Sequence, residues 1–494
     1  MSSEKYHYWV KQLQKIADLR YTQALLEWDQ ETYMPEKGAE FRGQQISTLA
    51  SIAHEMFTSE ELHLKTLELL QADYLLSAEK KNVELVHQDI TKEKKLPGAF
   101  VEKLSRATST AFHAWHKAKT NNDFSIFRED LEKMVSIKRE QAELIGYKSH
   151  PYNALLDEFE PGTDVAFLEN IFTDIKTKLK PLLDKILSKK IDNPNLLHGT
   201  FSKEKSLELS VFILQKMGYN MKAGRQDEAA HPFCTTISPL DVRTTTRYTP
   251  GLFADMLLST IHEGGHALYE QGLLPENYGL PAGSATSLGI HESQSRFWEN
   301  NIGRSKPFWT GLYPTLQQIF GPEIAPLQPD DFYYGVNEIT PSLIRTQADE
   351  LTYHFHILIR YEIEKALIGK EIEVKDLPAV WNEQYEKYLG IKVPSDDKGV
   401  LQDVHWAHGG FGYFPTYSLG SFYAAQFFHT ANKSLKNLSS DIGCLEFGRL
   451  KTWLNENIHQ YGRLKSADEI CKDVTGESLN IEYFIEYIKE KHLI

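Results

Sequence analysis

Apolar residues recur every three or four positions along most of this 494-residue chain. That spacing is typical of amphipathic α-helices, whereas a half-buried strand alternates every second residue. The pattern predicts helices in the segments 4–20, 60–95, 101–145, 165–190, 202–218, 308–320, 349–369 and 445–460. The β-prone stretch FCTTISPLDVRTTTR, residues 233–247, is the candidate for a short sheet. We therefore expect a mainly α fold with a small β element near 233–247.

Breaks between these segments are short. Pro-Gly pairs interrupt the helical pattern at 97–98, 161–162 and 250–251. The sequence contains no fixed-period repeat and no linker long enough to separate domains. We expect one large helical domain over residues 1–494, with two lobes as an alternative arrangement.

The charge balance narrows the classes of partner. The chain has 54 basic and 68 acidic residues, a formal net charge of -14 at pH 7, which disfavours nucleic acid and anionic membrane surfaces as partners. No apolar run approaches the roughly 20 residues that span a bilayer. Three scattered cysteines predict neither a disulfide framework nor a cysteine-based zinc site. Because the first residues are charged and amphipathic, unlike a signal peptide, we expect a cytoplasmic protein.

The segment STIHEGGHALYE, residues 259–270, concentrates chemically active side chains. Apolar residues cover most of the circumference of the helix predicted around it, and such a helix is buried. Its polar residues form one stripe at spacings of four, three, four and four: Asp255, Ser259, His262, His266 and Glu270. This stripe should line a cleft.

His262 and His266 project from one helix face one turn apart, so both imidazoles can bind one ion. Glu263 lies about 100° around the helix, beside the ion, where a base acting on a metal-activated water belongs. The alternative is a buried helix whose histidines only satisfy core hydrogen bonds. Gly264 and Gly265 argue against it, because glycine costs about 1 kcal/mol in a helix unless another element must approach closely.

A catalytic zinc needs a third protein ligand. Glu270 is excluded, because eight residues of helix separate it from His262 by about 12 Å. Glu292 follows His266 by 26 residues, in the helical stretch IHESQSRFWENNIG from Ile290 to Gly303. A second helix packed across the first can bring Glu292 to the ion. An i,i+4 surface pair between Glu292 and Arg296 is an equal alternative.

The sequence resembles the thermostable carboxypeptidase Taq family of metallocarboxypeptidases. HEGGHALYEQG and GIHESQSRFWEN carry the resemblance, together with six further motifs in the family's order: WDQETYMP (28–35), PYNALLDEFEPG (151–162), HPF (231–233), DVRTT (241–245), IRTQAD (344–349) and GVLQDVHW (399–406). The resemblance covers most of the chain. It implies a helical fold with a deep groove, similar to neurolysin and angiotensin-converting enzyme. It also implies a homodimer that removes single C-terminal residues from peptides with a free C terminus.

The resemblance also implies residue roles. His262, His266 and Glu292 would bind one zinc, with cobalt as a functional substitute, and Glu263 would be the general base and acid. His405 and Tyr417 are the candidates for stabilising the oxyanion, with His408 and Tyr413 as rivals. The alternative for the tyrosines is an aromatic core in GGFGYFPTYSLGSFYAAQFF.

Arg345 is the candidate that recognises the carboxylate at the C terminus of the substrate, since arginine binds carboxylates bidentately. An i,i+4 ion pair with Asp349 is its alternative. His231 and Arg243 match further family motifs and would line the same groove, touching substrate or bracing the site.

Two other functions stay open on sequence grounds. The same scaffold and chemistry would serve an endopeptidase or a dipeptidyl carboxypeptidase. A non-catalytic peptide-binding helical protein with a relict zinc site is the second alternative, although an intact Glu263 argues against it.

Overall fold

The computed structural model describes residues 2–189, 197, 199 and 201–492. Most of these residues are helical, and three short strands form a small sheet. The predicted mainly α fold is confirmed. Residue 190, the last of the predicted segment 165–190, lies outside the described residues.

The α-helices follow one another along the chain as α1 (Ser2–Thr32), α2 (Ala39–Phe57), α3 (Glu60–Leu70), α4 (Ser77–Lys94), α5 (Gly98–Asn121), α6 (Ser125–Ile145), α7 (Tyr152–Leu156), α8 (Val165–Asp174), α9 (Lys180–Ser188), α10 (Lys203–Met217), α11 (Phe253–Glu270), α12 (Leu288–Arg296), α13 (Lys306–Phe320), α14 (Pro329–Val336), α15 (Tyr353–Ile368), α16 (Leu377–Leu389), α17 (Pro415–Ser434), α18 (Leu438–Gly443), α19 (Gly448–Asn457), α20 (Ala467–Thr475) and α21 (Glu482–His492).

Two of the long predicted helices are broken in the structure. The segment 60–95 contains α3 and α4, and 101–145 contains α5 and α6. The second break falls at Asn122, whose φ of 52° is left-handed. Asparagine tolerates that conformation better than most residues, so a helix can end there. Other segments continue in π-helical geometry, at Ile175–Leu179 after α8 and at Phe297–Gly303 after α12.

The sheet consists of β1 (Gln226–Glu228), β2 (Cys234–Ser238) and β3 (Asp241–Thr246). The strand order is β1-β3-β2, with β1 parallel and β2 antiparallel to β3. β2 and β3 confirm the predicted β element. Both strands pack on α11, and the Thr246 and Thr260 hydroxyls lie 3.1 Å apart where β3 meets that helix. The sheet therefore supports the helix that carries HEGGH.

The chain divides into two compact units. Unit 1 contains residues 1–93, 193–336 and 423–479, and unit 2 contains 94–192, 337–422 and 480–494. The single-domain arrangement and the groove stay predictions.

In unit 1, the N-terminal helices α1 to α4 share a hydrophobic core. Trp9 of α1 is fully buried, and its indole Nε1 donates to Thr66 Oγ1 of α3 at 2.9 Å. The other members of this core are Tyr6, Leu13, Ile16, Ala53, Phe57, Leu62, Leu69, Val83, Val86, Ile90 and Leu280. Leu280 lies in the segment that leads to α12.

In unit 2, α15 is buried on nearly all its faces, as a helix surrounded by others must be. It packs against α6, α7 and α16. Its interior nevertheless contains polar side chains, among them Arg360 and Glu364, both fully buried. Buried charges need partners, and those of Arg360 belong to the candidate site.

Within the part of the chain that the structure describes, no helix has the length and apolar character that crossing a bilayer requires.

Candidate metal centre and substrate-binding residues

Helix α11 has the surface that its sequence predicts. Apolar residues cover almost the whole circumference of this helix and are nearly all buried. The five residues of the polar stripe, which begins at Asp255 and ends at Glu270, are partly exposed. Glu263 is buried beside the stripe. The alternative of a core helix with ordinary buried histidines is not what the structure shows, because both histidines of HEGGH lie on the partly exposed stripe.

His262, His266 and Glu292 converge on one point. Glu292 Oε2 lies 3.6 Å from His262 Nε2 and 3.4 Å from His266 Nε2. The three ligand atoms all lie within 4.8 Å of one another. Ligands of a tetrahedral zinc with bonds of about 2.0–2.1 Å stand about 3.3–3.4 Å apart. The two distances to Glu292 fit that geometry, so these residues suit a divalent metal.

Glu292 makes both of the contacts considered for it from the sequence, one with Arg296 and one with the two histidines. Its Oε1 accepts a hydrogen bond of 2.7 Å from Arg296 Nε, while its Oε2 faces the two histidines. Burial raises the pKa of Glu292, but the charges of Arg296 and His262 hold it well below its ordinary value. The i,i+4 pair therefore helps to keep the Glu292 carboxylate ionised.

A second carboxylate orients His262 from the other side of the ring. His262 Nδ1 donates to Glu299 Oε2 at 2.8 Å. Glu299 also accepts from Arg296 Nη1 at 3.1 Å and from Arg304 Nη2 at 3.0 Å. Since Nδ1 is used in this way, Nε2 of His262 faces Glu292 and would be the atom that binds a metal, as in sites where a carboxylate lies behind a ligating histidine.

Glu263 has the properties of a general base tuned by its surroundings. It is 7 % exposed, and burial raises the pKa of its carboxyl to about 7. A positive charge placed beside the Glu263 carboxyl would lower this pKa again. A carboxyl with a pKa near neutral pH can both accept and return a proton.

The two glycines of HEGGH lie where other elements approach α11. A Cβ added at Gly265 would stand 2.5 Å from the Gln294 carbonyl oxygen and 2.7 Å from Ser295 Cα. Backbone of α12 therefore packs directly on Gly265. The close approach predicted from the sequence is confirmed, and it places Glu292 beside the histidines.

Alanine substitutions at the two glycines should separate close backbone packing from helix propensity. Gly265→Ala should lower stability by about 1–3 kcal/mol, the usual cost of overpacking. Gly264→Ala should cost less, because its Cβ would meet only the ends of the Leu214 and Met217 side chains, which can move. Both changes gain about 1 kcal/mol of helix propensity, so each variant controls for the other. Urea-unfolding midpoints measure the difference, and equal midpoints would contradict the argument.

Arg345 is buried and ion-paired. Its Nη2 donates to Asp403 Oδ1 at 3.0 Å, and its Nη1 donates to the Tyr353 hydroxyl at 3.0 Å. The i,i+4 pair with Asp349 does not form, and Asp349 instead accepts from the backbone nitrogens of residues 351 and 352. Arg345 is therefore held by a residue of the GVLQDVHW motif.

Asp403 serves two guanidinium groups at once. Arg360, fully buried in α15, donates from Nε to Asp403 Oδ2 at 2.7 Å. Although burial raises the pKa of Asp403, the charges of Arg345 and Arg360 hold it well below its usual range. Two cations against one anion leave this cluster with a formal charge of +1, and a buried positive charge favours an anionic ligand.

The predicted oxyanion pair lies together in unit 2. His405 Nε2 is 3.3 Å from the Tyr417 hydroxyl, and Tyr417 lies in the first turn of α17. Both side chains are partly exposed, whereas Phe414 between them in sequence is buried. Burial lowers the pKa of His405 to about 4, so this imidazole is neutral at pH 7. The tyrosine is thus not a pure core residue.

The rival residues differ in their surroundings. The Tyr413 ring centroid lies 5.4 Å from that of His405, in the same aromatic group. His408 is exposed and stacks on Phe112. The contacts favour Tyr417 and His405 as a pair over His408.

His231 and Arg243 lie in unit 1, at the small sheet. His231 is exposed, just before β2. Arg243 in β3 donates to both carboxylate oxygens of Asp241, at 2.8 and 2.7 Å, and its guanidinium lies over the Trp28 ring at 4.3 Å. These contacts brace Arg243, and its contact with substrate stays a prediction.

Several residues around the site were not assigned a function from the sequence. Glu299 and Arg304 support His262, His291 contacts His266, and Asp403 holds Arg345. Asp403 lies in the motif GVLQDVHW, close to His405, and His291 lies in GIHESQSRFWEN, next to Glu292. Their positions in these motifs could have marked both residues as candidates. Arg304 has no such signal.

Comparisons with known proteins fit this fold and site. The model of the carboxypeptidase Taq (M32) metallopeptidase family matches residues 9–492. Carboxypeptidase 1 of Bacillus subtilis is 41% identical over 483 residues, which cover 97% of this chain and 96% of that protein. A solved structure of Pyrococcus furiosus carboxypeptidase has a TM-score of 0.96 at 38% identity and covers 99% of both chains. Trypanosoma cruzi metallocarboxypeptidase 1 has a TM-score of 0.94 at 34% identity, again over 99% of both chains.

The chain belongs to the carboxypeptidase Taq (M32) metallopeptidase family. Membership confirms the predicted resemblance and makes the protein a hydrolase of the metallocarboxypeptidase class. The comparisons support neither the endopeptidase nor the dipeptidyl carboxypeptidase alternative, and they do not support a non-catalytic scaffold. Family membership implies a divalent metal, and the His262, His266 and Glu292 group can hold it.

Proposed function

We propose that this protein removes single amino acids from the free C terminus of peptides at a zinc ion held by His262, His266 and Glu292. The observation that carries the proposal is the convergence of the three ligand atoms beside the buried carboxyl of Glu263. Cobalt is proposed as a functional substitute, since the same nitrogen and oxygen donors suit it. The donor set, two imidazoles and one carboxylate, is that of the zinc peptidases with an open fourth position.

When bound, the metal lowers the pKa of water and polarises the carbonyl of the scissile bond. Glu263 then takes a proton from the attacking water and gives it to the nitrogen of the departing amino acid. Burial supports this role, because it raises the pKa of the carboxyl to about 7.

His405 and Tyr417 are proposed to stabilise the oxyanion that forms on the carbonyl oxygen. Their contact of 3.3 Å supports a pair in which the imidazole orients the phenol. A neutral His405 can donate from Nε2 to the Tyr417 oxygen, and the phenol then directs its own hydrogen to the oxyanion. Tyr413 and His408 stay the rivals for this role.

Arg345 is proposed to bind the terminal carboxylate of the substrate. Asp403 fixes the guanidinium plane, and Arg360 shares that carboxylate, so the cluster keeps its formal charge of +1. A second carboxylate, from the peptide, would balance this charge. The positive charge of this cluster therefore supports recognition of the free carboxylate at the C terminus of the substrate.

A matched pair of peptides, one with a free C-terminal acid and one amidated, tests the proposed exopeptidase activity. We expect kcat/KM to fall about tenfold to a hundredfold on the amide, because a charge-assisted hydrogen bond worth about 1.5–3 kcal/mol is lost. Mass spectrometry of the acid digest should show stepwise loss of single residues. Release of dipeptides or internal fragments would replace the proposal with one of the two other peptidase activities.

Arg345→Ala should impose a similar loss on the acid and reduce the difference between acid and amide. Arg463→Ala is the matched control, since Arg463 is a partly buried arginine that donates to both carboxylate oxygens of Asp89 and has no predicted role at the site. Thermal unfolding of both variants checks their fold. If Arg345→Ala keeps the full preference for the acid, the carboxylate is bound elsewhere, with Arg243 or His231 next to be tested.

The homodimer and the cytoplasmic location predicted from the sequence stay predictions. So does the absence of nucleic acid or membrane partners, which the net charge of -14 favours.

A further inference from the structure

A chain of four side chains leads away from the metal ligand His266. His266 Nδ1 and His291 Nδ1 lie 2.6 Å apart, and His291 Nε2 lies 2.9 Å from Glu270 Oε1. The other oxygen of Glu270 accepts from the Thr236 hydroxyl of β2 at 2.8 Å. The mechanism above uses neither His291 nor Glu270.

The direction of each hydrogen bond follows from the first. His266 faces Glu292 with Nε2, so a neutral ring that ligates through Nε2 carries its hydrogen on Nδ1. That hydrogen is donated to His291 Nδ1, which must then be an acceptor. His291 consequently carries its own hydrogen on Nε2 and donates it to the carboxylate of Glu270, which can only accept.

The two metal-binding histidines are therefore held differently. The carboxylate of Glu299 contacts His262 directly. For His266, the imidazole of His291 stands between the ligand ring and the carboxylate of Glu270. The His291 ring also stacks on His266, with centroids 4.4 Å apart and planes inclined by 29°. His291 thus constrains both the tautomer and the orientation of the ligand ring.

We propose that His291, held by Glu270, is a positioning residue that fixes the ligating tautomer of His266 and strengthens metal binding. This inference rests on the proposed function, since it takes His262, His266 and Glu292 as the metal ligands. Loss of such an outer hydrogen-bond partner typically weakens metal binding about 10–100-fold.

Two substitutions of His291 separate the two hydrogen bonds. In His291→Asn the side-chain oxygen takes the place of Nδ1 and can still accept from His266, so metal affinity should stay near that of the wild type. In His291→Gln the amide reaches the Nε2 position and can still donate to Glu270, but the acceptor beside His266 is lost. Affinity for Zn²⁺, measured by competition with a chelating dye, should fall about 10–100-fold in the Gln variant. His291→Ala loses both bonds and should match it.

The visible absorption spectrum of bound Co²⁺ supplies a readout that does not depend on turnover, because it reports coordination geometry. The spectrum of His291→Asn should resemble that of the wild type, and that of His291→Gln should differ. Melting temperatures of the metal-free variants test whether a change in affinity follows from lost folding stability.

His459→Asn is the matched control. His459 is buried in the same unit and packs on Tyr269, as His291 does, with centroids 5.2 Å and 5.4 Å from that ring. Its hydrogen bonds go to Asn455 and Gln294 and not to a metal ligand. Its metal affinity should be unchanged.

The outcomes are distinct. Wild-type affinity in the Gln and Ala variants, or equal loss in Asn and Gln, would overturn the positioning role. Equal loss in His459→Asn would also overturn it, since the effect would then be general. A wild-type chain that binds no metal would overturn the proposed function, and this inference with it.

Discussion

The Glu263→Gln variant is expected to bind the metal as the wild type does and to turn over peptide about 10²–10⁴-fold more slowly. Glutamine has nearly the same shape as glutamate, so the buried site beside His262 should keep its packing. It cannot take a proton from water, however, and only the proton transfer is lost. Steady-state kcat on one peptide with a free C terminus, with metal content measured on the same preparation, checks this result.

Two results would contradict the assignment of Glu263. If the variant loses its metal, Glu263 is itself a ligand, and the convergence of His262, His266 and Glu292 has been misread. If kcat is nearly unchanged, the base is another residue. Glu299→Gln is a useful companion variant, because that carboxylate contacts His262 from behind and should affect metal affinity more than the proton transfer.

Removal of the metal is expected to abolish peptidase activity, and addition of Zn²⁺ or Co²⁺ is expected to restore it. The physical reason is that Glu263 alone leaves the water with a pKa of about 15.7, against about 7 beside a catalytic zinc. Dialysis against a chelator, followed by titration with each metal and assay on the same peptide, measures the effect.

Circular dichroism of the dialysed protein is the control for this experiment, since loss of activity by unfolding would not be reversed by metal. Full activity in a preparation shown by elemental analysis to be free of metal would end the metallopeptidase interpretation for this chain.

Much of the helical fold could be predicted from the sequence, because helix periodicity is a local property. α10 and α13 lie close to their predicted bounds of 202–218 and 308–320. α17 was missed, because its sequence PTYSLGSFYAAQFF contains glycine and many aromatic residues and reads as a packed turn. Its helical state depends on burial against other elements, which a local pattern does not contain.

The candidate site likewise contains residues that could be predicted from the sequence and residues that could not. His262, Glu263 and His266 were predicted from their spacing on one helix, whereas spacing left Glu292 open and the resemblance to the family decided for it. Asp403 and Glu299 could not be given their partners, because Asp403–Arg345 and Glu299–His262 join residues 58 and 37 positions apart in the chain. Spacing predicts which side chains share a helix face, but not which distant side chain neutralises them.

The contact at Gly265 has a consequence for how this sequence can vary. Main-chain atoms of α12 lie against Gly265 of α11 there, so at this point the separation of the two helices is limited by main-chain atoms and not by the size of a side chain. Side chains elsewhere in the core can therefore change size and alter the free energy of unfolding without changing this contact between α11 and α12. We expect substitutions of that kind to shift thermal stability while the two helices keep their close approach, provided that position 265 remains glycine.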